Sequence, residues 1–188
     1  RSGKQGMSEI TNEQFRVIKA DSDVEITGIK QFDCGEKVLN GYLQQLKRQC
    51  GRDNIHGLLL LKGDKVVGFV TASLYQLGRD EVPDGTFPYS VPPVFAVMKI
   101  PMIAIDKQYQ RQGWGEELLR AILDYCVESA AFVKGIKGVY LDAKVGARAF
   151  YESFDFEATR EEVSANDTIP MFISMDTLRE AKELEKSA

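Results

Sequence analysis

The feature that most constrains the fold is an apolar run from Val94 to Ile105 that leads through a glycine-containing turn into an amphipathic helix. The run is typical of a buried strand, and Pro101 within it predicts a bulge or a position outside the hydrogen-bonded ladder. The turn is Gln110–Gly115 (QRQGWG), and apolar residues then recur at helical spacing as far as Cys126. A buried strand that turns directly into a helix is typical of a βαβ unit, so we expect an α/β protein.

The rest of the sequence predicts further strands and helices before and after this unit in the chain. An amphipathic helix is predicted over 34–49, with Asp33 as its N-cap and Glu36 at the capping-box position. Apolar runs at 57–61 and 66–72 flank a glycine-containing turn and predict a hairpin. The other predicted elements are a first strand within 15–30, a loop over 76–93, a strand over 139–143, a helix over 147–154, a strand over 169–175 and a charged helix over 176–187. This order predicts a mixed α/β sheet in which an antiparallel meander leads into the βαβ unit.

Length predicts one main domain. The 188 residues suit a single core, which we place at 7–176, followed by a C-terminal helix or tail at 177–188. Residues 1–6 precede Met7 and are interpreted as an expression remnant.

Charge and residue usage exclude several classes of protein. The net charge of −4 argues against a surface coated with basic charge for nucleic acid, although a local basic patch remains compatible. Three separated cysteines without CxxC spacing, and one histidine, predict reduced thiols and no metal site. The sequence contains no run of about 18 apolar residues that could span a membrane, and no signal peptide follows Met7. We therefore expect a cytoplasmic protein.

The turn at 110–115 has the chemistry of an anion cradle. Glycine allows close approach of the backbone, and a helix start presents N–H groups without intrahelical acceptors at the positive end of the dipole. The spacing is neither GxGxxG nor that of a P-loop. The alternative interpretation is a plain turn between a strand and a helix.

Two segments carry a resemblance to a known family. Gln110-x-x-Gly113-x-Gly115 resembles the [Gln/Arg]-x-x-Gly-x-[Gly/Ala] motif of the GNAT acyltransferase superfamily, and Ala149–Phe156 (AFYESFDF) resembles its AxFYxxxGF segment. The resemblance implies the GNAT fold, with splayed central strands, and acetyl-CoA as co-substrate. It departs from the family at Asp155, which replaces glycine, although aspartate also tolerates a left-handed conformation.

The resemblance also implies roles for individual residues. Backbone N–H groups of the turn would hold the coenzyme A pyrophosphate, and the preceding strand would hydrogen-bond the pantetheine. Tyr151 would protonate the leaving thiolate as the catalytic acid, the alternative being a packed aromatic without a chemical role. The implied cofactor-binding residues are Ile103, Ala104, Ile105, Gln110, Arg111, Gln112, Gly113, Trp114, Gly115, Lys144 and Phe150. Since no carboxylate on 97–105 could act as base, the amine would lose its proton through water or arrive neutral.

A narrower resemblance concerns the acceptor. Phe32–Asn40 (FDCGEKVLN) resembles the opening of the TacT/AtaT-like toxins, GNAT enzymes of toxin–antitoxin pairs that acetylate aminoacyl-tRNA. The arginine usual just before the motif of that group is missing, since Pro101 and Met102 occupy those positions. Residues 34–52 nevertheless carry a local charge of +3, which is interpreted either as a basic binding face or as an ordinary solvated helix surface.

The leading prediction is an N-acetyltransferase acting on a small-molecule or protein amine by direct attack in a ternary complex. The alternatives are a toxin that acetylates aminoacyl-tRNA, with an antitoxin as a further partner, and a non-catalytic acyl-CoA-binding module. A homodimer is expected from the resemblance alone. Among other residues, His56, Cys34 and Cys126 are interpreted as structural, and the environment of Trp114 is left open.

Overall fold

The computed structural model describes residues 14–188, so the expression remnant predicted at 1–6 lies outside the described residues. Within 14–188 the chain forms eight strands and four helices. The strands are β1 (Phe15–Lys19), β2 (His56–Lys62), β3 (Lys65–Gly78), β4 (Val94–Lys99), β5 (Ile103–Ile105), β6 (Ile136–Lys144), β7 (Glu157–Ala158) and β8 (Thr168–Ser174). The helices are α1 (Lys37–Gly51), α2 (Trp114–Phe132), α3 (Arg148–Glu152) and α4 (Met175–Lys186). None of these helices is both long and apolar enough to cross a membrane.

The described chain divides into two compact units, of which the first comprises 14–71 and 102–121. In this unit β1 pairs antiparallel with β2, β2 lies beside β3, and β5 pairs antiparallel with the first half of β3. Helix α1 contributes Leu43, Leu46 and Cys50 to the core. The apolar residues of α1 recur three and four positions apart, and this is the spacing that faces one side of a helix toward a sheet.

The start of α1 differs from the prediction. The helix begins at Lys37 rather than at residue 34, and its N-cap Glu36 makes no side-chain capping bond. The prediction of Asp33 as N-cap is therefore wrong. Its carboxylate instead accepts hydrogen bonds from the backbone N–H of Gly35 (2.9 Å) and from Asn40 Nδ2 (3.1 Å). These bonds organise the turn before the helix, which is a common alternative use of an aspartate side chain.

The second unit comprises 72–101 and 122–188. Its strands lie in the order β3 (second half), β4, β6, β8, β7. Strand β4 is antiparallel to β3 and parallel to β6, and β8 is antiparallel to both β6 and β7. Because β4 and β6 are parallel and α2 lies between them in the chain, the predicted mixed sheet and βαβ unit are confirmed. The short β7 was missed, since two residues carry no recognisable periodicity.

The strand predicted from Val94 to Ile105 is interrupted as Pro101 indicated. Strand β4 ends at Lys99, β5 begins at Ile103, and Pro101 lies outside both. The last hydrogen bond from this stretch to β6 joins the Ile100 N–H to the Tyr140 carbonyl at 3.0 Å. A proline here removes no ladder bond, in keeping with its missing N–H.

The predicted loop at 76–93 is shorter than expected, because β3 continues to Gly78 and Arg79–Glu81 form a 3₁₀ turn. The remaining loop covers part of one sheet face with Val82, Phe87 and Val91, which pack against Leu77, Phe95, Val97 and Phe172. The Tyr89 hydroxyl fastens it, donating to Asp176 (2.9 Å) and accepting from Lys137 Nζ (3.0 Å).

The turn after α3 accommodates the departure from the family motif. Asp155 adopts a left-handed conformation with φ of 69°. Its N–H donates to the Glu152 carbonyl at 3.0 Å, and the Phe156 N–H donates to the Tyr151 carbonyl at 3.2 Å. The helix end therefore forms with aspartate in place of glycine.

Candidate functional site

The predicted anion cradle is an exposed turn in the first unit, between β5 and the start of α2 at Trp114. Arg111 and Gly113 are both left-handed, with φ of 61° and 88°. A Cβ at Gly113 would meet no other atom of the described residues within 4 Å, so the space beside it is open. The open space, the glycine backbone and the N–H groups of the helix start together fit the phosphate chemistry predicted from the sequence.

Gln110 fixes the entrance to this turn. Its side-chain Nε2 donates to the carbonyl of Ile105 (2.8 Å), at the end of β5, and to that of Cys34 (3.1 Å). The exposed Gln112 makes a similar local bond to the Gln108 carbonyl at 3.1 Å. The glutamine of the motif thus fastens the turn through its own side chain, and phosphate binding by the backbone of residues 111–115 stays a prediction.

Asp106 is a buried carboxylate at the base of the turn, only 7% exposed. Its two oxygens accept from the N–H of Gln108 (3.0 Å) and the N–H of Asp33 (3.1 Å). The Lys107 N–H donates in return to the Asp33 carbonyl (2.9 Å), and the Lys107 ammonium lies 3.4 Å from the Asp33 carboxylate. The Phe-Asp-Cys-Gly segment is therefore bound against the cradle, a contact that sequence reasoning missed because 73 positions separate the partners.

The surroundings of Asp33 favour the ionised form of its carboxyl group. The hydrogen bond from Gly35 N–H, followed by that from Asn40 and the nearby Lys107, lowers the pKa of the Asp33 carboxyl below its usual value. An ionised Asp33 keeps these acceptor bonds over the whole physiological pH range.

Trp114 packs on the first strand. Its ring stacks on Phe15 with centroids 4.0 Å apart and planes 20° apart, and Tyr109 meets the same Phe15 ring edge-on at 6.0 Å. The Lys62 ammonium lies 5.7 Å from the Phe15 ring centre. The position of Trp114, left open by the sequence, is therefore a stacked contact with β1.

The three β5 residues predicted to bind pantetheine are positioned by their pairing with β3. Ile103 pairs with Val70, and Ile105 pairs with Gly68. A Cβ at Gly68 would lie 2.8 Å from Ile105 Cδ1 and 3.1 Å from the Ala104 carbonyl oxygen, so a larger residue there would have to displace the Ile105 side chain. Pantetheine binding by Ile103, Ala104 and Ile105 stays a prediction.

Tyr151 lies in the second unit, on α3, and is 7% exposed. The rings of Phe150 and Phe156 contact it edge-on, with centroids 5.1 and 5.9 Å away. Burial raises the pKa of the Tyr151 phenol to about 12. The hydroxyl is therefore protonated at neutral pH, so it can act as a proton donor and not as a base.

The other predicted contacts in the second unit are close to Tyr151 in the chain. Lys144 is the exposed last residue of β6, and Phe150 precedes Tyr151 on α3. The predicted site residues are thus distributed over both units, with Ile103–Gly115 in the first and Lys144, Phe150 and Tyr151 in the second.

The surroundings of the cysteines and of His56 give little support to a catalytic role for these residues. The Cys34 thiol donates to the Glu36 carbonyl at 3.6 Å, and burial raises its pKa. Burial also raises the pKa of Cys50 to about 11 and of Cys126 to about 12, so these thiols stay protonated. Burial lowers the pKa of His56. Among residues 14–188, no cluster of three or more His, Cys, Asp or Glu side chains could hold a metal ion.

Helix α1 carries exposed cations. Lys37, Lys47, Arg48 and Arg52 are all exposed, and residues 37–52 contain no aspartate or glutamate, whereas the exposed Glu36 and Asp53 flank this range. Several cations on one helix are suited to phosphate groups, and a basic binding face stays a prediction.

Comparison with known proteins agrees with both resemblances. Residues 35–176 match the family model described as an acetyltransferase (GNAT) domain. A tRNA-acetylating toxin of Mycobacterium tuberculosis is 26% identical over 156 residues, which cover 80% of this chain and 88% of that protein.

Solved structures are similar over almost the whole chain. A bacterial toxin crystal structure has a TM-score of 0.83 at 27% identity and covers 90% of this chain and 95% of that one. A crystal structure of a tyrosine-to-phenylalanine mutant of KacT has a TM-score of 0.77 at 26% identity and covers 89% and 99% of the two chains.

Proposed function

Because the chain belongs to the GNAT acetyltransferase family, we propose that it transfers the acetyl group of acetyl-CoA to the α-amino group of an aminoacyl-tRNA. The similarity to a tRNA-acetylating toxin over 80% of the chain is the observation that carries this proposal. The exposed cations of α1 support it, since contacts with phosphates supply much of the affinity for nucleic acids. The leading sequence prediction, a small-molecule or protein amine, becomes the second candidate, favoured by the net charge of −4.

Acetyl-CoA is the co-substrate, and the first unit provides groups suited to its phosphates. We assign the backbone N–H groups of 111–115 to the pyrophosphate and the backbone of Ile103–Ile105 to the pantetheine. Gln110 and Asp106 hold that backbone in place through their bonds to Ile105 and Gln108. Lys144 and Phe150 are proposed to contribute further contacts from the second unit.

The proposed chemistry is direct transfer. The neutral amine forms a bond to the thioester carbonyl carbon, the carbon–sulfur bond breaks, and the thiolate accepts the proton of the Tyr151 hydroxyl. The amine proton leaves through water and restores the phenol. Since burial holds the pKa of Tyr151 near 12, the donor is protonated at any physiological pH before the reaction begins.

The proposed partners follow the same similarity. The resemblance of Phe32–Asn40 to toxins of toxin–antitoxin pairs implies an antitoxin, and we propose one for this chain. A homodimer, a cytoplasmic location and the domain limits 7–176 stay predictions from the sequence.

The decisive experiment uses radiolabelled acetyl-CoA. Wild-type protein is offered charged tRNA, the same tRNA after deacylation, and a pool of small amines and peptides. We expect label on charged tRNA alone, and strongly reduced labelling by the Tyr151→Phe variant. Label only in the amine and peptide pool would overturn the tRNA proposal and favour the second candidate.

A further inference from the structure

Aromatic and charged side chains form a cluster on one face of the second unit's sheet. Tyr75 of β3 stacks on Tyr140 of β6, with ring centroids 5.7 Å apart and planes 9° apart. The Lys99 ammonium of β4 lies 4.6 Å from the centre of the Tyr75 ring and 3.6 Å from a carboxylate oxygen of Asp142. The Tyr140 hydroxyl donates to the same carboxylate at 3.1 Å. These four side chains are here called the acceptor cluster.

Strand register explains why residues from three strands meet. Lys99 pairs directly with Tyr140 in the parallel β4–β6 ladder, and Asp142 follows Tyr140 by two positions on the same face. Tyr75 pairs with Val97, which precedes Lys99 by two. Adjacent positions on one face of a sheet bring side chains within contact distance.

The cluster remains accessible beside a covered part of this face. The loop after β3 buries Leu77, Phe95 and Val97 under its apolar side chains. Tyr75 lies beyond this cover and is 43% exposed, while the Asp142 side chain is 42% exposed. A tyrosine ring that is partly exposed to solvent can serve as a platform on which a planar group binds.

The combination of groups selects among ligands. A free phosphate would use the lysine and be repelled by the carboxylate, and a simple amine would use the carboxylate alone. The end of an aminoacyl-tRNA carries an unpaired base, phosphates and an α-amino group within one short stretch, so it can engage the ring, the lysine and the carboxylate together. Single-stranded RNA is typically recognised through such stacking of unpaired bases on aromatic side chains.

We propose that the acceptor cluster binds the single-stranded aminoacyl end of charged tRNA, with the terminal base on the Tyr75 ring and the α-amino group at Asp142. Lys99 supplies positive charge for an adjoining phosphate, and Tyr140 supports both Tyr75 and Asp142. This inference rests on the proposed function and adds the residues that recognise its acceptor.

The first test replaces Tyr75. The Tyr75→Ala variant should raise KM for charged tRNA about tenfold, as expected for loss of one base stack, with KM for acetyl-CoA within about twofold of wild type. Tyr75→Phe retains the ring and should restore KM. Leu74→Ala is the matched control, because Leu74 is the adjacent residue of β3 on the opposite face and is 67% exposed.

The second test separates the ring from the carboxylate. A short RNA that ends in an unpaired adenosine without an amino acid should bind wild type, measured by fluorescence anisotropy, and bind about tenfold more weakly to Tyr75→Ala. Asp142→Asn keeps an acceptor for the Tyr140 hydroxyl. It should lower kcat/KM for charged tRNA about tenfold without weakening the binding of this RNA, since the RNA has no α-amino group.

The outcomes distinguish this inference from the proposed function. If wild type acetylates charged tRNA and Tyr75→Ala has an unaltered KM, the inference is overturned and the proposed function stands. If Asp142→Asn weakens binding of the uncharged RNA as much as it lowers kcat/KM, the assignment of the α-amino group to Asp142 is wrong. If wild type acetylates no charged tRNA, both fail.

Discussion

The two units contribute functional groups of different kinds. The first contributes a turn, 106–115, whose proposed binding groups are backbone N–H groups held in place by Asp106, Gln110 and two left-handed residues. The second contributes side chains, namely Tyr151 on α3 and the acceptor cluster on three strands. A site made of backbone depends on conformation, whereas a site made of side chains depends on single atoms. The two units should therefore respond differently to substitution.

The largest effect is expected from removing the hydroxyl oxygen of Tyr151, in the second unit. Tyr151→Phe removes the proposed acid and should lower kcat about 10²- to 10⁴-fold, because general acid catalysis contributes about that much. KM for acetyl-CoA should stay within about twofold in steady-state assays. Unaltered kcat would show that another group protonates the thiolate, and thermal unfolding of the variant serves as the control for folding.

The same residue makes the stability of the protein depend on alkaline pH. Burial raises the pKa of Tyr151 to about 12 from an ordinary value near 10, so the folded state holds this proton more tightly than the unfolded state. The stabilisation is complete below pH 10 and is lost as pH rises from 10 to 12, by about 2–3 kcal/mol. Urea unfolding at pH 9 and pH 11.5 should show a smaller pH-dependent loss in Tyr151→Phe than in wild type. Equal losses in the two proteins would contradict the assignment.

In the first unit, removing the buried support should destabilise the fold. Asp106→Ala leaves the N–H groups of Asp33 and Gln108 without their acceptor and should lower the free energy of unfolding by about 1–3 kcal/mol. Lys107→Ala, the neighbouring control, removes an exposed ion pair and should cost about 0–1 kcal/mol. Chemical denaturation compares the two, and equal costs would mean that the carboxylate is not a structural support.

The smallest effects should have opposite signs at two neighbouring positions of the turn. Gly113→Ala forces a side chain into the left-handed conformation and should cost about 1–2 kcal/mol of stability. Arg111→Gly relieves the same strain, partly offset by the entropy of glycine, and should stabilise the protein by up to about 1 kcal/mol. Thermal unfolding measures both, and equal signs would show that side-chain contacts rather than backbone conformation determine stability here.

The sequence could predict the parts of the fold that are built from contiguous residues. The strand, the turn and α2 follow one another in the chain, so Pro101, Gly113 and the helical spacing were enough to predict their order and the confirmed fold. The hairpin and the parallel β4–β6 pair could be predicted because they too are formed by elements that follow one another closely in the chain. The boundaries were less accurate, as at α1, where Asp33 bonds within its own turn instead of capping the helix.

The parts that the sequence could not predict are those formed by distant residues. The bond from the Asp33 N–H to Asp106 joins two loop segments 73 positions apart, and the stacking of Tyr75 on Tyr140 depends on strand register. No local pattern reveals either of them. Nothing in the sequence distinguished Tyr75 from an ordinary strand tyrosine, and the acceptor cluster became recognisable only with three strands in place.

The bond between Asp33 and Asp106 also has an evolutionary consequence. Asp106 and Gln110 bind only backbone groups of positions 33, 34, 105 and 108, so the bonds depend on the side chains at 106 and 110 and not on those of their partners. In descendants of this protein, aspartate at 106 and glutamine at 110 should therefore persist, while the exposed positions 111 and 112 vary more freely. Persistence of these two side chains would keep the Phe-Asp-Cys-Gly segment attached to the turn at 106–115, although the chain separates them by about seventy residues.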